Sequence, residues 1–495
     1  MTMNGSTTTT TKALPLDDAP LDATRASVYG RVVQTAIHGG QFPADDDGQE
    51  DGGDGSRYPV ALFLDTHQFQ SECLALIQAF ADPKIMTTST SCCLHAFAVK
   101  ACPVVGVLKA AAAVGMGGEC ASEGEVALCR AAGIPPERIV LDAPCKTTGL
   151  LRRMLRMGVH INADNFQELD RIATVLSSEE FIQTPPPRLS VGLRLNPQIG
   201  AGTIGMTSTA GKACKFGVPL QDEKAEIMQA FVGDKYASFL TGIHIHVGSQ
   251  GVSPMQLVHG VAAAVQMAED INAACQAAGK PRQVTTLDIG GGLSVNYGGT
   301  NPSQMIPFAE YTALLQQHVP QLFAQEGKYK ILTEFGRRLV APCGFLATRI
   351  QTVKPTTTET YVMGYVGADL LLRAVYAPQQ WRHPIHVYNS VSKTFKDADT
   401  SAAGTAPFHV AGPLCFAGDI IAKERILPAN IEAQVDYLVL PMAGAYTISM
   451  YSRHTSQLVP AVYGYDGSAS VIKLTTLKKA ETLQDLVRFW GGEEV

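Results

Sequence analysis

The sequence predicts a (β/α)8 barrel of the TIM type followed by a separate β-sandwich domain. Two observations predict it. From Cys92 to about Leu339, eight strand-like runs alternate with helical patterns, the unit count of a closed barrel, whose usual size is about 250 residues. Beyond Leu339, short β-rich runs separated by Gly, Pro and Asn take over, the pattern of an all-β layer. The eight runs are Leu94–Lys100, Gly118–Ala121, Arg138–Asp142, Val159–Ala163, Leu189–Asn196, Thr241–Val247, Thr285–Ile289 and Ile331–Glu334. Helical patterns between them include Val104–Val114, Ser122–Ala132, Thr147–Met157, Phe166–Ser177, Pro254–Ala278 and Pro307–Phe323. An open doubly wound sheet alternates too, with fewer strands, and no GxGxxG opens a helix after the first run. The later β-rich runs are Thr360–Val366, Pro384–Val391, Ala406–Val410 and Tyr437–Leu440.

Four segments follow from this pattern. Residues 1–57 read as a disordered Thr-rich tail and an acidic linker, although Leu21–His38 has some helical periodicity. Residues 58–84 hold a strand-like Tyr58–Leu64 and a helical Thr66–Phe80, residues 85–340 the barrel, and residues 341–495 the β domain.

Composition narrows the function classes. Apolar residues make up 46% of the chain, enough for a sizeable core. The formal charge is −6. The acids Asp45, Asp46, Asp47, Glu50, Asp51 and Asp54 in one base-free stretch account for it, so nothing supports a nucleic-acid or anionic-membrane partner. Eleven cysteines lack zinc-like spacing and fit a reducing compartment. No apolar run reaches the ~18 residues that span a bilayer. The N-terminal residues lack the basic and apolar regions of a secretory signal, and acids from Asp17 argue against a transit peptide. A cytoplasmic protein is expected.

Barrel chemistry sits at the C-terminal strand ends. Lys100 ends the first run, where apolar neighbours would disfavour its ammonium form and leave a usable amine for a Schiff base; the plain alternative is a solvated or ion-paired lysine. On the sixth run, period-two alternation puts His244 and His246 on one face. They could be a metal pair, a ring lid over a planar cofactor with Ser249 donating to a phosphate, or ordinary barrel-interior histidines. The seventh run ends in Gly290, Gly291 and Gly292, whose exposed N–H groups suit an anion. The eighth ends at Glu334, with Gly336 and Arg337 following. Glu334 could hold a proton on a pyridine nitrogen, and Arg337 could pair with a phosphate or carboxylate. A Schiff-base lysine, a phosphate cradle, a ring-stacking histidine and a carboxylate are together what pyridoxal phosphate requires. The expected metal is none.

At this point the chain resembles the fold-type III pyridoxal-phosphate decarboxylases, which share the alanine racemase-like fold and include the ornithine and diaminopimelate decarboxylases. The carriers are HAFAVKA, GGECASEGE, Lys215–Gly217, HVGSQ, DIGGGL, EFGRR, Leu371–Tyr376, Cys415–Asp419 and Gly444–Met450. The motifs lie closest to the diaminopimelate type. The resemblance implies that Lys100 carries the cofactor, Glu119 lies near its ring, His246 stacks on it and Glu334 binds its nitrogen. Ser249, Gly290, Gly291, Gly292, Gly336, Arg337 and Tyr446 would surround the phosphate, and Cys415 would return a proton to the substrate carbon. It further implies a homodimer with shared sites, Cys415 and Tyr446 coming from the neighbouring subunit, and a 58–84 segment that joins the sandwich.

Two departures concern the substrate. The family places an acid for the substrate's distal amine where this chain has Phe416, and the diaminopimelate type has Ser at Ala417. EFGR also replaces the usual EPGR. Arg337, Arg373 and Tyr376, which match residues that grip a distal carboxylate, are present, and Tyr446 would also border the substrate. An ammonium beside Phe416 would go unpaired, at a cost of several kcal/mol. The expected reaction is decarboxylation of an amino acid with a distal carboxylate: an acylated or citryl-type diamino acid, or another dicarboxylic amino acid. The alternatives are diaminopimelate decarboxylation to lysine, a non-catalytic decarboxylase-like binding protein, and a metal hydrolase using His244 and His246.

Overall fold

A computed structural model describes residues 21–42, 58–81, 93–298, 305–323, 328–396 and 404–493. Helix α1 (Ala23–His38) comes first. Strand β1 (Val60–Asp65) and helix α2 (Thr66–Ala81) follow. The barrel then runs through β2 (Cys93–Ala98), β3 (Gly117–Cys120), β4 (Ile139–Asp142), β5 (His160–Ala163), β6 (Val191–Asn196), the two-residue β7 (Val218–Pro219), β8 (Leu240–Ile245), β9 (Thr286–Asp288) and β10 (Lys330–Thr333).

All barrel pairings are parallel, and β5 pairs with β6 to close the ring of eight, β7 lying outside it on β6. The eight runs read from the sequence are these eight strands. Several end a residue or two earlier than read, which leaves Lys100 and His246 beyond their strand ends, on the rim where barrel chemistry resides. Each strand is buried on both faces, so inward positions are visible only by alternation. One interior layer is apolar, formed by Leu94, Ala96, Val140 and Leu332. Towards the C-terminal rim the interior turns polar, with Asp142, Asn162, Arg194, His244 and Asp288 all buried.

The remaining strands are β11 (Gly344–Arg349), β12 (Thr352–Pro355), β13 (Thr360–Met363), β14 (His386–Asn389), β15 (Thr394–Phe395), β16 (Thr405–Ala411), β17 (Ile420–Pro428), β18 (Asp436–Pro441), β19 (Ala461–Tyr465) and β20 (Thr475–Lys478). They build a seven-stranded sheet, ordered β15-β14-β18-β11-β1-β19-β20, and a four-stranded sheet, β12-β13-β16-β17. β1 lies inside the larger sheet, antiparallel to β11 and parallel to β19. Its unbroken apolar run reflects cover on both faces: Leu62 and Leu64 join the main core, while Ala61 and Phe63 face the other way. Among the described residues, no helix is long and apolar enough to cross a membrane.

The tail reading of residues 1–57 needs correction at α1. Asp22 caps the helix by accepting the Arg25 N–H at 2.9 Å. Tyr29, Val32, Val33 and Ala36 pack on Phe63, Phe345, Tyr437 and Tyr463, with the Tyr29 and Phe345 rings 4.3 Å apart. An ordered helix forms because this sheet face would otherwise be bare and apolar. Residues 1–20 and 43–57, the rest of that tail and linker, lie outside the described residues. Deleting residues 1–42 should therefore uncover the aromatic face and lower the midpoint of thermal unfolding by ~5–10 °C. An unchanged midpoint would show that the α1 contact contributes nothing to stability.

Candidate active site

Lys100 lies in the single 3-10 turn Val99–Ala101 that ends β2. Three contacts fix this turn. The Ala98 N–H donates to the Phe335 carbonyl at 3.1 Å, and the Ala101 carbonyl accepts the Tyr446 N–H at 2.9 Å. The Ser449 hydroxyl donates to the same Ala101 carbonyl at 3.3 Å. The loop after β10 and the Gly444–Met450 segment of the β domain thus both hold the lysine backbone.

The Lys100 Nζ reaches both oxygens of Glu119, on β3, at 2.7 Å. Glu119 is fully buried, whereas the lysine side chain stays 40% exposed. Burial disfavours the ammonium, but the charges of Glu119, Glu334, Tyr446 and Asp142 outweigh it and hold the lysine above its ordinary range. This corrects the expectation of a lysine made neutral by apolar neighbours. Those neighbours exist, but a buried carboxylate one strand away decides the sign. Glu119 itself is pushed up by burial, against the pull of Lys100.

Glu334 follows β10 and is buried. Burial, then Glu119 and Asp142, push its carboxyl well above the ordinary range. Its Oε1 has no hydrogen-bond partner, and its Oε2 lies 3.4 Å from His244 Nε2. His246, just beyond β8, accepts the Gly291 N–H on Nδ1 at 3.3 Å, which leaves the ring proton on Nε2. Burial, with Arg194, Lys100 and His244, pushes this imidazole well below its ordinary range, so it is neutral.

The glycine loop after β9 presses on its neighbours. A Cβ on Gly291 would sit 2.2 Å from the Glu334 carbonyl oxygen, and one on Gly292, where φ is +111°, 2.1 Å from that of Gly248. Only glycine brings this backbone so close to the rim. Ser249 borders it, its hydroxyl accepting Arg337 Nε at 3.2 Å, and Arg337 Nη1 donates to the Tyr297 hydroxyl at 2.8 Å. Gly336 packs on Ala98 and Ala101 where a Cβ would be 2.9 Å from each.

Beside this cradle stands an aromatic cage. The Arg337 guanidinium lies 4.3 Å from the Tyr446 ring centre and 4.8 Å from that of Trp381. The Arg373 guanidinium lies 4.6 Å from both rings. Burial and the nearby Arg337 charge lower the Arg373 pKa. Arg373 Nη1 and Trp381 Nε1 are buried donors without hydrogen-bond partners. Both residues line a small cavity with Tyr297, His383 and Tyr446. Two orphan donors on one cavity, one of them on a cation, with the Arg337 charge beside it, suit a carboxylate or phosphate oxygen.

The structure therefore gathers Lys100, Glu119, His246, Ser249, Gly290, Gly291, Gly292, Glu334, Gly336, Arg337, Arg373 and Tyr446 at one rim. The other expected residues stand as follows. Tyr446 belongs to its own chain's site, since it bonds Ala101 and stacks on Arg337 of the same chain. Tyr376 is 71% exposed and does not join the arginine pair within the chain; Trp381 and Tyr297 take that place. Cys415 is exposed on the loop after β16, and Phe416 packs edge-on against His454 at 5.3 Å. His244 and His246 do not form a metal pair: His244 is enclosed by Asp142 and Glu334, while His246 bonds Gly291. Trp381 had one sequence signal, as one of two tryptophans. Tyr297 had none.

The set fits pyridoxal phosphate on its own geometry. Glu334 Oε1 is an orphan acceptor for a pyridine N–H, Ser249 and Arg337 stand beside the glycine loop as donors for a phosphate, and Lys100 Nζ is the amine at the same rim. Comparisons agree. Residues 84–341, just over half the chain, match the family of pyridoxal-dependent decarboxylases at its pyridoxal binding domain. The chain is 29% identical to the diaminopimelate decarboxylase of Zymomonas mobilis over 402 residues, 80% of this chain and 85% of that one. It is 29% identical to that of Pseudomonas aeruginosa, covering 81% and 86%. The crystal structure of diaminopimelate decarboxylase from Helicobacter pylori complexed with L-lysine superposes with a TM-score of 0.71 at 25% identity, covering 87% of this chain and 96% of that one. A Vibrio vulnificus lysine/ornithine decarboxylase complexed with putrescine shares the fold, with a TM-score of 0.64 at 19% identity, covering 88% and 98%.

Proposed function

The chain belongs to the pyridoxal-dependent decarboxylases, and from that membership we propose that it removes the α-carboxylate of an amino acid bearing a distal carboxylate. That it is a pyridoxal-phosphate-dependent amino-acid decarboxylase follows from the family; the substrate is our reading. The orphan Arg373 Nη1 carries it, buried beside Arg337 in the aromatic cage. A buried cation left without an anion is unfavourable. A distal carboxylate there would bond Arg373 and accept the Trp381 N–H.

Bound pyridoxal phosphate supplies an electron sink for the charge left when the carboxylate departs. Glu334 would hold the proton on the ring nitrogen, His246 would cover the ring face, and Ser249, the Gly290–Gly292 backbone and Gly336 would receive the phosphate. Lys100 would anchor the aldehyde carbon, with Glu119 exchanging a proton at Nζ. Cys415 would protonate the α-carbon. Its exposed position supports a homodimer in which each chain lends this thiol to the other's site. β1 within the larger sheet supports a β domain assembled from residues 58–84 and 341–495 around a barrel of residues 85–340. Cys120 and Cys129, thiols 3.6 Å apart, suit a cytoplasmic setting.

The relatives favour a second reading, decarboxylation of diaminopimelate to lysine. A substrate panel with CO2 detection separates the two. Acylated or dicarboxylic analogues should exceed ornithine and lysine by ~10²–10⁴-fold in kcat/KM, and Arg373→Ala should erase most of that gap. Efficient turnover of ornithine or lysine would overturn the distal-carboxylate reading. Efficient turnover of diaminopimelate would keep the carboxylate and discard the role given to Phe416.

A further inference from the structure

We propose that His244 is a positioning residue that ties Glu334 to an arginine-anchored Asp142 and so divides the two oxygens of Glu334 between the protein and the cofactor. The side chain is fully buried inside the barrel. Its Nδ1 lies 3.5 Å from Asp142 Oδ1 and its Nε2 3.4 Å from Glu334 Oε2. Asp142 is fixed in turn by Arg194, whose Nη1 donates to Oδ2 at 2.6 Å. Arg194 lies over the Phe216 ring at 4.4 Å. The line Arg194–Asp142–His244–Glu334 thus crosses the barrel on residues of β6, β4 and β8 to the tip of β10, all rigid elements.

Three features separate this from ordinary core polarity. First, the adjacent interior layer is filled by Leu94, Ala96, Val140 and Leu332, so apolar packing is available at this radius. A buried imidazole between two carboxyls is unfavourable unless both are used. Second, both nitrogen contacts are long, and neither ring nitrogen has a hydrogen-bond partner. Third, the His244 contact is to Oε2, at 3.4 Å, and Oε1 is the orphan atom. Asp288, held by Asn162 at 2.9 Å and by the Gly290 N–H at 3.0 Å, lies against the same Glu334 carboxyl. Oε2 thus has a ring nitrogen of His244 beside it, and Oε1, with no donor from the protein, is the oxygen we assign to the cofactor's ring nitrogen.

The same Asp142, His244 and Glu334 atoms lie within 4.8 Å of one another, a spacing a cation could bridge. The Arg194 guanidinium on Asp142 repels a cation there, so the line serves the carboxylate.

The test is a double-mutant cycle on the cofactor dissociation constant, measured by titrating apo-protein with pyridoxal phosphate and following its visible absorption. His244→Phe should weaken binding ~10–100-fold in the wild-type background. In a Glu334→Ala background it should change binding less than ~3-fold, because its partner is gone. Equal losses in both backgrounds would mean a structural role and overturn the proposal, as would no loss in either. Stoichiometric metal in the purified protein, with binding lost to a chelator, would also overturn it. Asp142→Asn run through the same cycle decides the matter if His244→Phe does not fold. The inference rests on the cofactor and not on the substrate. Turnover of ornithine with normal cofactor binding would sink the substrate reading and leave this one standing.

Discussion

Lys100→Ala is expected to abolish turnover, lowering kcat by ~10³-fold or more, and to remove all covalent attachment of the cofactor. The geometry gives the reason. Nζ sits 2.7 Å from both Glu119 oxygens, and the ammonium form is favoured. The amine becomes a nucleophile only when that proton moves, and Glu119 is the acceptor within reach. Burial pushes the Glu119 carboxyl up, which makes it a better base than a surface glutamate. Removing Lys100 leaves a fully buried carboxylate without its cation, which costs about 3–5 kcal/mol unless the carboxyl takes up a proton. Lys100→Arg separates the two effects. It keeps a cation beside Glu119 and should restore stability but not attachment or turnover. Borohydride reduction of the holoenzyme followed by peptide mass analysis reads attachment directly. A reduced adduct that persists in Lys100→Ala would show that another amine carries the cofactor.

How the sequence anticipates this site depends on which interactions are local. Alternation along each strand is local, so the eight barrel strands and the rim positions of Lys100, His246 and Glu334 were legible. What happens across the barrel was not. His244 and His246 share a strand face, yet their fates diverge because β4 and β10 bring Asp142 and Glu334 to one and the glycine loop comes to the other. The sign of the Lys100 shift failed for the same reason: Glu119, named only as an acid near the ring, lies on the neighbouring strand and bonds the amine itself. The resemblance also implied a chain of origin that the geometry corrects. Tyr446 was expected from the neighbouring subunit, but its backbone bond to Ala101 fixes it within its own chain. α1 was half visible, since Tyr29, Val32, Val33 and Ala36 recur at helical spacing. The flanking acidic and Thr-rich stretches masked it, and apart from Phe63 on β1 the aromatic face it covers is built from strands hundreds of residues away.

Cys415→Ala is expected to lower product formation by ~10²–10⁴-fold while the cofactor stays bound, and pairing it with Lys100→Ala should restore activity. The loop that bears the thiol is well anchored: Asp419 accepts the Leu414 N–H at 2.7 Å and the Ala368 N–H at 2.6 Å. Cys415 itself is left facing solvent. A group that protonates a carbon must be enclosed with it, because bulk water would otherwise compete. Within one chain Cys415 is exposed, and the homodimer proposed above would supply that enclosure. In a two-fold dimer with shared sites, a mixed pair of one Lys100→Ala chain and one Cys415→Ala chain holds one site with both defects and one with neither. Random mixing puts half the dimers in that state, so co-refolded mutants should recover about a quarter of wild-type activity. If each chain instead used its own cysteine, every site in every mixture would carry one defect, and mixing would recover nothing.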